Sequence, residues 1–299
     1  MGSEIAGVRA FSRTVAERVG TLSDQFLGRG RTYGESRVLW EIGTGTDVRE
    51  LRGRLGLDSG YLARVLGSLE AAGLIGVSSN PNDRRVRRVR LTAAGRRERS
   101  ELELRSDDRA KSLLEPLSTK QRAELVAAMR TVERLLQASM VVFSVEDPRS
   151  ADARWCIDQY FAELNTRFES GFDPRRSISA GAHELTPPAG AFLIARLRGR
   201  PIGCGAIKFH THKPAELKRM WVTPEARGLG IGRRLLVELE RYAKQAGVRK
   251  LRLETNGSLT EAISLYRHSG FREVPAFNHE PYAQHWFEKE LPRGRHPGR

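Results

Sequence analysis

The most constraining feature of the chain is a glycine-rich turn, Arg-Gly-Leu-Gly-Ile-Gly, at residues 227–232. It follows a predicted strand, 217–222, and opens a predicted helix, 229–247. Bare backbone amides and the positive end of a helix both attract a pyrophosphate group. The turn lacks the Gly-Lys-Ser/Thr of a Walker loop, and its glycines alternate instead of following the dinucleotide pattern G-x-G-x-x-G. It therefore predicts an α/β unit with a phosphate-binding turn of another kind.

Strands and helices alternate through the second half of the chain. A predicted loop, 172–190, contains three prolines and interrupts this alternation once. The order of elements predicts an α/β domain with a mixed sheet. The predicted strands are 141–145, 191–198, 202–210, 217–222, 250–255, 271–274 and 285–291, and the predicted helices are 153–168, 229–247 and 259–269.

The glycine-rich turn and its neighbours match a known family pattern. Arg227, Gly230 and Gly232 stand at the three defining positions of an Arg/Gln-x-x-Gly-x-Gly/Ala loop. A strand at 215–222 precedes the loop, and a helix pattern with Leu-Tyr and then Gly-Phe follows at 262–271. Residues 141–291 therefore resemble the GNAT superfamily of acetyl-CoA-dependent N-acetyltransferases. The resemblance implies acetyl-CoA as the cofactor, held by amides of the loop and by the backbone of the preceding strand.

The same resemblance implies which residues bind this cofactor. Arg233 and Arg234 are expected near its phosphates. One position departs from the family pattern, because Leu259 stands where many members have asparagine, and Asn256 is a candidate substitute. The expected cofactor-binding residues are Met220, Trp221, Val222, Arg227, Gly228, Leu229, Gly230, Ile231, Gly232, Arg233, Asn256 and Tyr266.

An acceptor amine must be neutral to attack a thioester, so an acetyltransferase site needs a base. By the resemblance, Glu216 on the cofactor strand is the candidate base, and it is also a candidate for binding the ammonium group of the substrate. Tyr266 is the candidate acid for the leaving thiolate, and Tyr282 is a candidate substrate-binding residue. The expected reaction is direct attack by a primary amine in a ternary complex. A small-molecule amine is favoured over protein lysine, with loop 172–190 setting specificity.

The first half of the chain is mainly helical and contains a winged-helix pattern. Two predicted helices, ending at Gly56 and running from 58 to 72, are joined by Gly-Leu-Asp. A predicted β-hairpin follows at once, with strands at 74–79 and 86–92. Long helical patterns flank this core, at 3–27 and over 93–140.

The predicted hairpin carries five arginines among residues 84–90. Guanidinium groups on a narrow ribbon suit the minor groove of DNA, and a helix suits the major groove. The pattern Asp-x-Arg followed by Val-x-Leu-Thr, at 83–92, resembles the wing of MarR-family regulators, and the resemblance covers about 3–138. It implies binding to double-stranded DNA and a homodimer formed by the terminal helices. The expected DNA-binding residues are Ser59, Tyr61, Arg64, Asp83, Arg85 and Arg87, with Arg85 in the minor groove and oriented by Asp83.

Composition limits the remaining possibilities. With 39% hydrophobic and 29% charged residues, the chain is typical of a globular protein, and its apolar runs are too short for a membrane span. Cys156 and Cys204 form neither a disulfide framework nor a zinc pattern, so no metal is expected. The absence of a signal-peptide pattern favours a cytoplasmic location. The net charge of +15 is shared, +7 over 1–144 and +8 over 145–299, which favours two anion-binding sites over one basic tail.

These patterns predict two domains: a mainly α, MarR-like winged helix-turn-helix at 1–140 and an α/β GNAT domain with a mixed sheet at 141–299. The leading hypothesis is a bifunctional regulator and N-acetyltransferase. A second hypothesis makes the GNAT domain a catalytically weak sensor of acetyl-CoA or an amine that tunes DNA binding. In a third, the winged helix only dimerises an enzyme.

Overall fold

The computed structural model describes the chain except for residues 22, 24, 81–82, 179, 212 and 293–299, and it describes only the backbone of residues 80 and 83–86. The chain splits into two compact units, Met1–Thr131 and Val132–Arg299. The division falls within a helix, Thr119–Ser139, shortly before the predicted boundary. The domain limits 1–140 and 141–299 stay a prediction.

The first unit is mainly helical, and acidic or hydroxyl side chains cap most of its helices. Asp47 accepts hydrogen bonds from the backbone N–H groups of Arg49 and Glu50, and Asp58 accepts one from that of Tyr61. The helices are α1 (Gly2–Val19), α2 (Tyr33–Ile42), α3 (Val48–Leu55), α4 (Ser59–Ala71), α5 (Ala93–Leu114) and α6 (Thr119–Ser139), and the strands are β1 (Thr46–Asp47), β2 (Ile75–Asn80) and β3 (Asp83–Leu91).

The predicted winged helix-turn-helix is confirmed. Strand β3 pairs antiparallel with β2 along one edge and with β1 along the other. Helix α4 buries an apolar stripe against α2 and the hairpin. Its buried residues are Leu62, Val65, Leu66 and Leu69.

The first helix is shorter than predicted. Helix α1 ends at Val19, because Gly20 adopts a left-handed conformation with φ of 76° and its N–H bonds the carbonyls of Ala16 and Glu17. A separate single turn, Phe26–Gly28, buries Phe26. The predicted single helix over 3–27 is therefore wrong. The apolar residues of α1 remain exposed: Ile5, Val8, Phe11 and Val15.

The second unit is the predicted α/β fold with a mixed sheet. Its seven-stranded sheet has the order β4-β5-β6-β7-β8-β10-β9, with β7 and β8 parallel. The strands are β4 (Val142–Glu146), β5 (Gly190–Leu197), β6 (Arg200–Lys208), β7 (Ala215–Val222), β8 (Lys250–Thr255), β9 (Arg272–Val274) and β10 (His285–Glu290). The helices are α7 (Ala151–Arg167), α8 (Ile231–Gln245) and α9 (Thr260–His268).

Helices cover both faces of this sheet. Alternate residues of β5 point to opposite sides, so Leu193 packs in a cluster with α8 and α9, and Phe192 packs in another with α7. Cys156 and Cys204 are buried in the second cluster as free thiols. Over the described part of the chain, no helix is long and apolar enough to cross a membrane.

Two irregularities open the middle of the sheet. Strands β7 and β8 pair only at Ala215 with Leu251 and at Glu216 with Arg252, so their carboxyl halves diverge. A bulge in β7 also shifts its register against β6, between the pairs formed by Cys204 and Ala206. The divergence leaves a gap between β7 and β8 in which side chains of both strands meet.

Candidate active site and nucleic-acid interface

A cleft of about 540 Å³ lies where β7 ends and α8 begins. The predicted glycine turn forms one wall, and α9 forms the opposite wall. Of the expected cofactor residues, only Leu229 and Asn256 are absent from its lining. Those that line it are Met220, Trp221, Val222, Arg227, Gly228, Gly230, Ile231, Gly232, Arg233 and Tyr266.

The backbone of the turn fits a phosphate ligand. Gly228 and Gly230 have φ of 75° and 72°, and a Cβ atom at either position would meet nothing within 4 Å. Gly230 precedes α8 and, in the described structure, supplies no side-chain cap to the first N–H groups of the helix. Open amides at a positive helix end are the groups that bind a pyrophosphate. The residues therefore fit the pyrophosphate of acetyl-CoA.

Two of the expected cofactor residues direct their side chains to α7. The Arg227 guanidinium lies 2.5 Å from Glu163 Oε2 and donates to the Val222 carbonyl at 3.1 Å. The Trp221 indole N–H donates to the same Glu163 oxygen at 2.8 Å. These side chains hold the strand, the turn and α7 together.

Arg234 does not meet the cleft, contrary to expectation. Its guanidinium donates to the carbonyls of Ala138 and Val141 and lies 5.0 Å from the centre of the Phe143 ring. Arg233, in contrast, is exposed and lines the cleft. Adjacent helix residues point about 100° apart, so only one of the two arginines faces the cofactor side.

A second cavity, of about 110 Å³, adjoins the cleft in the gap between β7 and β8. Tyr266 on α9 and Met220 on β7 line both spaces. Burial, together with the Glu254 carboxylate, raises the pKa of Tyr266 well above its usual range. The Tyr266 hydroxyl therefore keeps its proton at neutral pH and stands where the two spaces join.

Two acidic residues line this cavity, Glu254 at the end of β8 and Glu280 in the loop before β10, whereas Glu216 is not among its lining residues. The Glu216 carboxylate lies 3.2 Å from His210 Nε2 and 3.2 Å from Lys218 Nζ. The Glu254 side chain is only 8% exposed and pairs with Lys218 through Oε1, while its buried Oε2 has no hydrogen-bond partner in the described structure. The role of Glu216 as base stays a prediction that its position does not favour.

Glu254 has the protonation properties of a base in a dry site. Burial raises the pKa of its carboxyl, against the opposing effect of Lys218. Although burial alone lowers it, the pKa of Lys218 is raised by the carboxylates of Glu254 and Glu216. The available sequence signal was a carboxylate at the carboxyl end of a predicted strand, 250–255, where α/β sheets bind ligands.

Tyr282 lines the second cavity, as does part of the predicted specificity loop. Its hydroxyl accepts a hydrogen bond from the Asp173 N–H at 3.0 Å, and its ring lies 4.9 Å from that of Phe172. Asn256 lines this cavity and not the cleft. It donates to the Tyr282 carbonyl at 2.8 Å and accepts from the Ser258 N–H at 2.9 Å. These contacts give Asn256 a role in holding the cavity wall.

The expected DNA-binding surface is partly displayed by the winged helix. Ser59 and Arg64 are exposed on α4, and Arg87 is exposed on β3. Tyr61 is half-buried, and a Cβ atom at Gly34 would lie 2.0 Å from its hydroxyl, so its ring packs on α2 instead of facing outward. The side chains of Asp83 and Arg85 lie outside the described residues.

The fold and the site define the class of each unit. The first is a winged helix-turn-helix with exposed arginines on its hairpin, and the second is an α/β acyltransferase fold with an amide-lined cleft and an adjoining small cavity.

Comparison with known proteins agrees with both classes. Residues 157–271 match the acetyltransferase (GNAT) family model, and residues 32–86 match the MarR family model. The chain belongs to the GNAT family of acetyltransferases and carries a MarR-type winged helix ahead of that domain.

Individual relatives match one unit each. An IAA acetyltransferase of Azospirillum brasilense is 46% identical over 99 residues, which are 33% of this chain and 63% of that protein, so less than two thirds of it is matched. An uncharacterized N-acetyltransferase of Schizosaccharomyces pombe is 36% identical over 44% of this chain and 80% of its own. A crystal structure of a MarR variant of Escherichia coli with operator DNA is 25% identical, with a TM-score of 0.38, over 44% of this chain and 95% of that one.

Proposed function

We propose that the protein is a bifunctional DNA-binding regulator and N-acetyltransferase that acetylates the primary amine of a small molecule. The observation that carries the enzymatic part is the placement of Glu254 and Tyr266 on one small cavity that opens into the amide-lined cleft. One group is a buried carboxylate and the other a hydroxyl that keeps its proton, so a base and an acid face the same space.

Acetyl-CoA, when bound in the cleft, supplies the acetyl thioester that the amine attacks directly. The amides of residues 228–233 hold its pyrophosphate, and Arg233 lies at the same wall. Strand β7 offers backbone groups on the side where its pairing with β8 has ended, so Met220 and the N–H of Val222 serve the pantetheine arm. The Val222 carbonyl is taken by Arg227.

Two residues of the chain move protons in this mechanism. Oε2 of Glu254, which has no hydrogen-bond partner in the described structure, accepts the proton that the substrate ammonium must lose before its nitrogen can form the new N–C bond. Tyr266 donates its hydroxyl proton to the sulfur when the C–S bond breaks. Lys218 stays paired with both Glu254 and Glu216, which keeps a cation beside the two carboxylates.

The size of the second cavity supports a small acceptor. Pockets for drug-sized ligands occupy roughly 300–1,000 Å³, whereas this cavity holds about 110 Å³. A small free amine fits such a space.

The regulatory part rests on the winged helix. Exposed Arg64 on α4 and exposed Arg87, Arg88 and Arg90 on β3 provide cations for the phosphates of double-stranded DNA. The exposed apolar residues of α1 support a homodimer, because a helix that leaves a continuous stripe uncovered fits a partner surface. A location in the cytoplasm, where DNA and acetyl-CoA are found, belongs to this proposal.

One observation favours the sensor as a second candidate. Leu259 lies at the boundary of both spaces and places an aliphatic side chain where many family members have an amide. Release of free CoA thiol over a panel of primary amines separates the two functions. Turnover with any amine supports the enzyme, whereas tight acetyl-CoA binding without turnover, together with a ligand-dependent shift in DNA affinity, supports the sensor.

A further inference from the structure

The small cavity changes in character beyond its junction with the cofactor cleft. At the junction, Met220 and Tyr266 line both spaces. The walls that belong to the cavity alone carry a group of aromatic rings from α7 and its C-terminal end, from loop 172–190 and from the loop before β10. The members of this ring cluster are Phe161, Phe168, Phe172 and Tyr282. An acceptor that reacts at the junction therefore extends its tail towards the ring cluster.

The ring cluster is one continuous apolar surface. The Phe172 ring centre lies 5.4 Å from that of Phe161 and 4.9 Å from that of Tyr282. Phe168 closes the group, because its ring centre lies 5.8 Å from that of Phe172 and 5.7 Å from that of Tyr282. The polar end of Tyr282 is engaged, since its hydroxyl accepts a hydrogen bond from the Asp173 N–H at 3.0 Å. The rings therefore offer an apolar tail a large contact surface.

Two cations line the cavity among the described residues, and both hold partners of the protein itself. The Lys218 ammonium pairs with Glu254. The Arg219 guanidinium donates to the Ala180 carbonyl at 2.7 Å and lies 5.6 Å from the centre of the Phe161 ring. A substrate carboxylate would compete with these contacts for either cation.

The two carboxylates of the cavity differ in what they can offer a ligand. Glu280 accepts hydrogen bonds from the hydroxyl of Ser177 and the N–H of Ile178 through one oxygen, and from the N–H of Tyr282 through the other. The Oε2 atom of Glu254 is buried and has no hydrogen-bond partner in the described structure. This oxygen belongs to an anion, so it suits the ammonium group of an acceptor.

We propose that the acceptor is a primary monoamine with an apolar tail, branched alkyl or phenyl, whose ammonium group meets Glu254 and whose tail packs on the ring cluster. This inference rests on the proposed acetyltransferase function and narrows its substrate class. A carboxylate on the tail would have to displace contacts of Lys218 or Arg219, and a second ammonium group would be buried beside Glu280, which three donors already satisfy. An apolar cavity of about 150 Å³ binds benzene, so a volume of about 110 Å³ suits a tail of this size or smaller.

Acceptors that differ by one charged group test the proposal. Free-thiol release is measured with 3-methylbutylamine and 2-phenylethylamine, beside L-leucine and L-phenylalanine, which add an α-carboxylate to the same skeletons. A further acceptor, 1,4-diaminobutane, adds a second ammonium group. For at least one apolar amine, we expect kcat/KM to exceed that for its amino acid and for the diamine by about 10- to 100-fold, because a buried charge that lacks its own partner is costly.

The replacement Phe172→Ala tests whether the tail packs on the ring cluster. KM for 2-phenylethylamine should rise about 5- to 20-fold, since the ring loses part of its apolar contact. The value of kcat/KM for methylamine, which has no tail, should stay within twofold. Phe277→Ala is the matched control, because this half-buried ring lines neither space and lies 4.9 Å from the Arg252 guanidinium. It should leave both values unchanged.

Turnover of an amino acid or of the diamine that equals or exceeds that of both apolar amines would overturn this substrate class and leave the acetyltransferase function standing. An unchanged KM for 2-phenylethylamine in Phe172→Ala would overturn the placement of the tail. If no acceptor is turned over, the acetyltransferase function fails, and calorimetric titration of the same compounds into CoA-loaded protein decides on the site alone. Tighter binding of an apolar amine that Phe172→Ala weakens supports the site. Equal binding of the matched compounds, or no binding, overturns it.

Discussion

Glu254 and Glu216 both pair with Lys218, and replacing each of them by glutamine distinguishes their roles in catalysis. Glu254 lines the acceptor cavity, whereas Glu216 lies outside it and contacts His210 and Lys218. Glutamine keeps the shape of the side chain but accepts no proton at neutral pH. We therefore expect Glu254→Gln to lower kcat by about 10²–10⁴-fold, the usual loss of a general base. Glu216→Gln should change kcat by less than about fivefold.

Glu254→Gln should also lower the free energy of unfolding of the protein, and this loss must be measured separately from the change in kcat. Lys218 is 11% exposed and Glu254 is 8% exposed, and removing one partner of a buried pair costs about 3–5 kcal/mol when the other is left alone. Lys218 keeps a second partner, Glu216 at 3.2 Å, so we expect a loss nearer 1–2 kcal/mol. Urea unfolding of both variants gives this number, and the kinetics are measured where each is fully folded.

The pH profile distinguishes a base from a residue that only shapes the cavity. Burial raises the pKa of Glu254, and the deprotonated form is the active one. Activity should therefore fall as the pH decreases through this raised pKa, and the acidic limb should disappear in Glu254→Gln. Thiol release with a saturating amine over a pH series is the assay. If Glu254→Gln stays within fivefold of the natural enzyme while Glu216→Gln loses a hundredfold, the assignment of the base is refuted.

Three further outcomes follow from the structure. Gly230→Ala and Gly247→Ala should each cost about 1–2 kcal/mol of backbone strain, since both glycines have positive φ and open space around them. Only Gly230→Ala should weaken acetyl-CoA binding in calorimetry, because its amide lies in the turn proposed to bind the pyrophosphate. Equal affinities of the two variants would contradict this phosphate site. Arg85→Ala should weaken DNA binding by roughly 1–3 kcal/mol in a mobility shift, and no loss would contradict the wing assignment. Glu98→Gln removes the negative charge and one of the two oxygens that accept from Arg29, and it should destabilise the protein by about 1–3 kcal/mol at pH 7. Since Arg29 lowers the pKa of Glu98, this stabilisation is present above the ordinary glutamate pKa and is lost as the pH falls through the lowered pKa, so the urea midpoints of the two proteins should converge on acidification.

Most of the helices and strands could be predicted from local patterns in the sequence. Asp58 begins a helix where predicted, and Asp47 begins the helix before it, because a capping side chain acts within three residues of the chain. The apolar period of α4 and the alternation of the wing strands defined their buried faces in the same way. The glycine turn was found for a related reason, since left-handed backbone at Gly228 and Gly230 is a local requirement.

Only the tertiary structure decided which side chains meet. Glu216 and Glu254 lie on the adjacent parallel strands β7 and β8, and the sequence does not show where the pairing of these strands ends. The strands diverge after Glu216, which places Glu254 in the cavity. The orientation of Arg219 depends on a bulge against β6, which no periodicity in β7 announces. Tyr61 likewise turned inward because α2 presents a glycine, Gly34, to its ring. Local rules act over a few residues, whereas strand register and packing between distant segments choose which functional groups share one space.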